Sequence, residues 1–373
     1  MITEGYTSDA TEAAYRRIGG ERPSQVGDRW PVLYSQWVQS AQRGDYNASL
    51  AAAQMQLREG EQAGLPAMTA SALRQASINL WQLGRFAEAR VQAKRAREMY
   101  DVSWATDARA VTGLDFLAAA ECYLAITTWP LGDIDDAYAH LNTAIARAEA
   151  TDPAYTLVTV LAQGFFILAL ARRPSETLEF ADRAIAVAED KEVGAWIGPT
   201  SFFRSWAHGR LNIPRAGIAD LRAALDDLHE RGIGLFDCTA LVLLADLQAA
   251  AGAADEALMT IAEGIQASAD SGFRCELANL LTLRGDLLTS RDPAAAEASY
   301  REAIEVAREQ GGRTFELLAA LPLARLLQTT NRPDEAHDVL ARALEGFTPT
   351  PELPAIAEAQ ALLAELAVDG RAK

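Results

Sequence analysis

The sequence predicts an all-α protein, a right-handed α-solenoid of about eight helix–turn–helix repeats with a period near 40 residues and a C-terminal capping helix. Three observations lead there. A segment of fixed form recurs along the chain, an apolar helical stretch precedes each copy, and the composition favours helix throughout. Ala, Leu, Glu and Arg dominate, all strong helix formers, whereas Val, Ile and Thr are not grouped into the alternating runs that strands need. At 373 residues the chain exceeds a usual single domain. A repeat array tolerates this because each unit packs only on its neighbours.

The recurring segments are GDYNASLAAAQMQL, GRFAEARVQAKRAR, GDIDDAYAHLNTAI, RRPSETLEFADRAI, NIPRAGIADLRAAL, GAADEALMTIAEGI, RDPAAAEASYREAI and NRPDEAHDVLARAL. Each is a turn, a small residue, an apolar residue four later and usually a second small residue three after that. The first small position falls at Ser49, Ala89, Ala137, Thr177, Gly217, Ala257, Ala296 and Ala336, with spacings of 40, 48, 40, 40, 40, 39 and 40. The second lies seven residues on, at Gln56, Ala96, Ala144, Ala184, Ala224, Gly264, Ala303 and Ala343. Seven residues is two helical turns, so both positions share one face and let the second helix of a unit approach the first.

The stretches before each turn, such as ASALRQASINLWQLG and TLVTVLAQGFFILALA, supply the first helices. Gly44, Gly84, Gly132 and Gly252 stand where these helices end, suiting a left-handed cap. Pro174, Pro214, Pro293 and Pro333 stand where second helices open, and there a missing N–H costs nothing. The 48-residue spacing predicts a longer loop or an extra turn near residues 99–112. The ends differ: residues 1–29 form a lead-in with a short helix over 8–18, eight repeats fill 30–348, and residues 354–367 form the capping helix. All belong to one domain.

The formal net charge is −17. Phosphate backbones and anionic lipids repel such a chain, so direct nucleic-acid and membrane contacts are not expected. The acidity serves solubility, or alternatively an interface with a basic partner. Cys122, Cys238 and Cys275 are far apart and odd in number, which predicts small buried residues in a reducing compartment rather than disulfides or zinc ligands. The N-terminus lacks a signal-peptide pattern and no apolar stretch is long enough to span a bilayer, so the expected location is cytoplasmic. No phosphate loop, dinucleotide fingerprint or nucleophile elbow occurs. His140, His229 and His337 are expected to be solvated, while His208, beside Trp206, is placed where it could face a groove. Adjacent carboxylates such as Asp135–Asp136 point about 100° apart on a helix and cannot converge on one point. No catalytic residue, cofactor or metal is therefore expected, and an enzyme is disfavoured.

In stacked helix pairs the first helices line the concave face. Aligning the units on the small position puts Arg74, Trp81, Cys122, Ile126, Trp129, Thr159, Phe166, Phe202, Trp206 and Arg210 there. Later units contribute Asp246, Asp286, Arg325 and Gln328, so the groove is expected to be aromatic early and polar late. Aromatic anchors in a concave surface suit a peptide or an apolar ligand; the same rings would equally serve as packing between helices. The groove lacks the Lys/Asn set with which chaperone-binding tetratricopeptide domains clamp a C-terminal carboxylate, which disfavours that class of partner.

The units resemble tetratricopeptide repeats lengthened beyond the usual ~34 residues. Over its whole length the chain resembles the C-terminal tetratricopeptide region of bacterial signal-transducing P-loop ATPase or adenylate/guanylate cyclase-like regulators of MalT-like layout. The resemblance runs from ITEGYTSDATEAAYRRI through GLDFLAAAECYLAITTWPLGDIDDAYAHL and FFRSWAHGRLNIPRAGIADLRAAL to AEASYREAIEVAREQGGRTFELLAALPLARLLQ. It implies a non-catalytic array that senses a ligand or partner and restrains upstream modules. Two arrangements are open: a fragment of such a regulator whose partners include its own missing modules, favoured by the abrupt start of the match at Met1, or a free-standing peptide or small-molecule receptor. Self-association is a further expectation for a solenoid.

Overall fold

The structure, a computed structural model, describes residues 26–369 apart from 152–153, 192 and 194–195. The short helix expected over 8–18 lies outside the described residues. Helices follow in order: α1 (Val26–Gln42), α2 (Tyr46–Ala63), α3 (Pro66–Gln82), α4 (Phe86–Glu98), α5 (Val102–Thr112), α6 (Phe116–Thr128), α7 (Ile134–Thr151), α8 (Ala154–Leu170) and α9 (Pro174–Asp190). Then come α10 (Ile197–Leu211), α11 (Pro214–Glu230), α12 (Asp237–Ala250), α13 (Ala254–Ser271), α14 (Leu277–Leu288), α15 (Pro293–Gln310), α16 (Arg313–Thr329), α17 (Pro333–Leu344) and α18 (Ala355–Asp369). The described residues contain no strand. Setting α5 and α18 aside leaves eight helix pairs, and α18 packs on the last of them. The fold is an α-solenoid of tetratricopeptide-like repeats. Among the described residues no single helix is long and apolar enough to cross a membrane.

The small positions do what their spacing predicts. Ser49, Ala89, Ala137, Thr177, Ala257, Ala296 and Ala336 have no exposed surface, and Gly217 is buried as well. Each lies where the second helix crosses the first. In the fifth pair two glycines face each other: a β-carbon on Gly217 would stand 2.5 Å from Gly209 Cα and 3.0 Å from the Ser205 carbonyl oxygen. Gly217→Ala is therefore expected to cost about 1–3 kcal/mol as the helices are forced apart. A denaturation midpoint equal to that of the parent protein would show that this crossing yields freely.

The turns also follow the sequence. Gly84 caps α3 at a φ of 74°, a conformation that costs little only without a side chain. Where no glycine is present, Arg172 and Asn331 adopt φ values of 54° and 60°. Pro174, Pro214, Pro293 and Pro333 each open a second helix.

The insertion is more than the loop or extra turn expected at 99–112. It is a complete helix, α5, opened by the Asp101 carboxylate accepting from Ser103 N and closed by Gly113 in the left-handed conformation. Trp104 and Ala108 are buried on one of its faces, and Trp104 meets Phe116 edge-on at 5.0 Å. This apolar face gives the segment something to pack, which a spacing count does not reveal.

Successive turns of the superhelix touch. The backbone N–H groups of Gly234 and Leu235 donate to the Gln42 carbonyl at 2.7 and 3.0 Å, and those of Arg274 and Cys275 to the Gln82 carbonyl at 2.9 and 3.2 Å. The Thr314 hydroxyl donates to the Trp129 carbonyl at 2.6 Å, 185 residues away in sequence. Arg173 reaches Glu352 at 2.6 Å. Each turn between the helices of an early pair thus meets the approach to a first helix some five pairs later. These contacts narrow the concave groove.

Candidate functional site

The first superhelical turn wraps around a cavity of about 180 Å³. Its wall comes from first helices α1, α3, α6, α8 and α10 and from the segment 231–236 that leads into α12. Trp37, Trp81, Phe166 and Trp196 give it an aromatic lining. Trp81 and Phe166 meet edge-on at 5.4 Å.

Polar groups in the wall are held in place. The Trp37 indole N–H donates to Asn79 Oδ1 at 2.8 Å, and the Asn79 amide donates in turn to Ser49 Oγ at 2.7 Å and Gln82 Oε1 at 3.0 Å. The same Gln82 carries the carbonyl that joins the two superhelical turns, so the wall and the seam share a residue. Arg74 is 1% exposed, with its guanidinium 5.1 Å above the Tyr123 ring, a cation–π arrangement. Burial pushes the Tyr123 phenol up to about 12, with Arg74 acting in the opposite sense. Among the described residues no carboxylate, imidazole or thiol lines this cavity, and the charged ones are Arg74 and Arg231, the latter paired with Asp227 at 2.7 Å.

Of the concave positions read from the sequence, Arg74, Trp81, Thr159 and Phe166 line the cavity. Trp129, Phe202, Trp206, Ile126 and Cys122 are buried in the core instead, each no more than 1% exposed. Trp129 packs edge-on against Phe315 at 5.6 Å, because the closing superhelix brings the start of α16 onto its face. Trp206 donates its indole N–H to Asp246 Oδ2 at 2.8 Å, and Arg210 Nε lies 3.3 Å from the same oxygen. Asp286 and Arg325 line a separate cavity of about 190 Å³ together with Arg172. There Asp286 lies 3.5 Å from Arg172 and Arg325 reaches Glu358 at 2.8 Å. Gln328 is half-buried on the same helix.

The sequence reading omitted Tyr34, Val38 and Ala41, which also line the cavity. A signal for them existed: they precede Ser49 by the offsets at which Arg74, Ile78 and Trp81 precede Ala89. Gln163 and Trp196 had no such marker.

The histidines and cysteines of the described residues lie outside this lining. His208 is exposed rather than turned into a groove. His140 is not simply solvated: Nδ1 lies 2.6 Å from Glu121 Oε2. Burial raises the pKa of that carboxyl, but hydrogen bonds from His140 and Arg97 hold it below its ordinary value. The three cysteines are buried and unbridged, and burial pushes the Cys122 thiol up to about 12 and that of Cys238 to about 11. Among the described residues no three His, Cys, Asp or Glu side chains gather as a metal site.

No protein-family model matches the sequence, and no match is found among curated proteins. Solved structures do match in fold. A Rap protein complexed with competence and sporulation factor superposes with a TM-score of 0.54 at 12% identity, covering 92% of this chain and 98% of its own. NprR in complex with its cognate peptide NprX superposes with a TM-score of 0.50 at 13% identity, covering 80% and 82%. At these identities the likeness is one of fold.

Proposed function

We propose that the chain is a non-catalytic binding scaffold whose partly open aromatic cavity receives a peptide. The observation that carries this reading is the cavity itself. Five consecutive first helices converge on it, and its wall is aromatic with amides held in place by hydrogen bonds. Of the two proteins of similar fold, one is complexed with competence and sporulation factor and the other with its cognate peptide, which supports a peptide as the partner. The family resemblance supports the further step that the array is the sensor part of a bacterial ATPase- or cyclase-type signalling regulator in the cytoplasm. The alternative, a free-standing receptor, uses the same cavity and differs only in what the array restrains.

Trp37, Trp81 and Trp196 in the wall make occupancy visible by fluorescence. Titration with a library of short peptides is expected to give saturable quenching for a subset. Thr159→Phe, which fills the cavity from a residue already 6% exposed, is expected to weaken those peptides at least about tenfold, about 1.4 kcal/mol, with helix content unchanged. Unaltered affinity in a folded Thr159→Phe protein would move the binding surface away from this cavity.

A further inference from the structure

We infer that the protein docks end to end on a second copy of itself. The open turn edge of its later repeats seats on the open approach edge of the next copy's early repeats. This contact is separate from the cavity and does not depend on the peptide reading.

The seam within the chain supplies the pattern. The turns of the first four pairs are met by the segments that lead into α12, α14, α16 and the capping helix α18, at Gly234, Arg274, Thr314 and Glu352. The turn glycines show how close the fit is. A β-carbon on Gly44 would stand 3.0 Å from the Gly234 carbonyl oxygen, one on Gly84 3.3 Å from Arg274 Cβ, and one on Gly132 3.1 Å from the Phe347 ring. Each superhelical turn thus has a turn edge and an approach edge, and the seam joins one kind to the other. By the same pattern the turn edge is open from the fifth pair onward, and the approach edge is open in the early pairs. Among the described residues, a β-carbon on Gly252 in the sixth turn, or on Gly64 in the approach to α3, would meet nothing within 4 Å.

Both open edges carry exposed aliphatic side chains. Leu211 occupies the place that Leu83 and Leu131 hold in earlier turns. Those two are half-buried and pack against the core, whereas Leu211 is 42% exposed. Ile213 is 65% exposed and stands where the first four turns carry Asp45, Arg85, Asp133 and Arg173. On the approach edge, Val102 opens the inserted helix α5 and is 77% exposed. Single exposed apolar residues are ordinary on a protein surface. These are set apart by their place, on two edges whose counterparts already bond to each other inside the chain. A second copy presents both missing counterparts, an approach edge for the open turns and a turn edge for the open approaches. Because the two partners use different surfaces, the contact is head-to-tail and propagates instead of closing at a dimer.

The test is sedimentation velocity of the full chain at low and high concentration, with circular dichroism as the check on folding. The average mass is expected to rise with concentration beyond that of a dimer. Ile213→Asp and Val102→Asp, both at exposed positions, are each expected to weaken association at least about tenfold, since a carboxylate is then pressed against apolar surface. Mixing the two variants restores one intact turn edge and one intact approach edge, so a dimer with one copy of each is expected, and nothing larger. A chain that stays monomeric at high concentration would overturn the inference and leave these edges to a different polypeptide. Association that survives either substitution, or variants that fail to pair when mixed, would also overturn it.

Discussion

Trp129→Ala is expected to lower the free energy of unfolding by about 4 kcal/mol, the scale for emptying a core of a large aromatic side chain. Trp129 has no exposed surface. Its ring packs on Phe315 and its carbonyl accepts the Thr314 hydroxyl, so it joins the third helix pair to the eighth. Gly132, three residues on, is close enough to Phe347 that a β-carbon there would stand 3.1 Å from the ring. Losing the indole therefore removes core and loosens the contact between superhelical turns. Urea denaturation followed by circular dichroism reads the stability. Limited proteolysis at the turns reads the seam, because local opening exposes backbone long before global unfolding. A variant that matches the parent protein in both would show that the turns are held together elsewhere.

The second large effect is one of pH. Glu276 is 3% exposed and accepts the Thr239 hydroxyl at 2.6 Å. Burial pushes its carboxyl up to about 7 from an ordinary value of 4.5, with Thr239 acting the other way. The folded chain thus holds this proton more tightly than the unfolded chain. Stability from this group is complete below about pH 4.5 and is lost as pH rises towards 7. At about 1.4 kcal/mol per pH unit the loss amounts to about 3 kcal/mol. The residue follows Arg274 and Cys275, whose N–H groups bind Gln82 across the turns, so ionisation acts beside the seam. Glu276→Gln keeps an acceptor for Thr239 and cannot ionise. Thermal melts of the two proteins are expected to agree near pH 4.5 and to separate at about pH 8, with the variant the more stable. Parallel profiles over that range would mean that the buried carboxyl ionises as it would in water.

Much of the fold was legible because its determinants are local. A small residue every 40 or so positions is the imprint of one helix crossing another, and each crossing lies within a single unit. Ser49, Ala137 and Ala296 occupy that crossing in three different units, all fully buried. Proline at the second-helix start and glycine at the turn act through their own backbone, so their roles survive any tertiary arrangement. The insertion was visible as eight extra residues but not as helix α5, since an 11-residue helix is marginal without a surface to bury its face. That surface belongs to Phe116 and its neighbours.

The cavity was only partly legible. The alignment placed Arg74, Trp81, Thr159 and Phe166 facing inward, and they line it. The same alignment placed Trp129, Phe202 and Trp206 inward too, and inward is where they point, but the interior is already filled there. Whether an inward residue meets space or protein depends on the superhelical pitch. Pitch is the sum of small rotations at every crossing, with no single residue that encodes it.

Short-range patterns thus encode the repeat: helix pairs, their crossing residues, their turns and a solenoid built by stacking them. The tightness of the superhelix, which lets its turns bond to one another, leaves a cavity beside Arg74 and buries the later aromatics, emerges only once all the units are stacked. The difference is one of range. Packing within a unit is set by residues a few turns of helix apart, whereas the seam joins groups such as Thr314 and Trp129 across 185 residues, and nothing in either local stretch records the other.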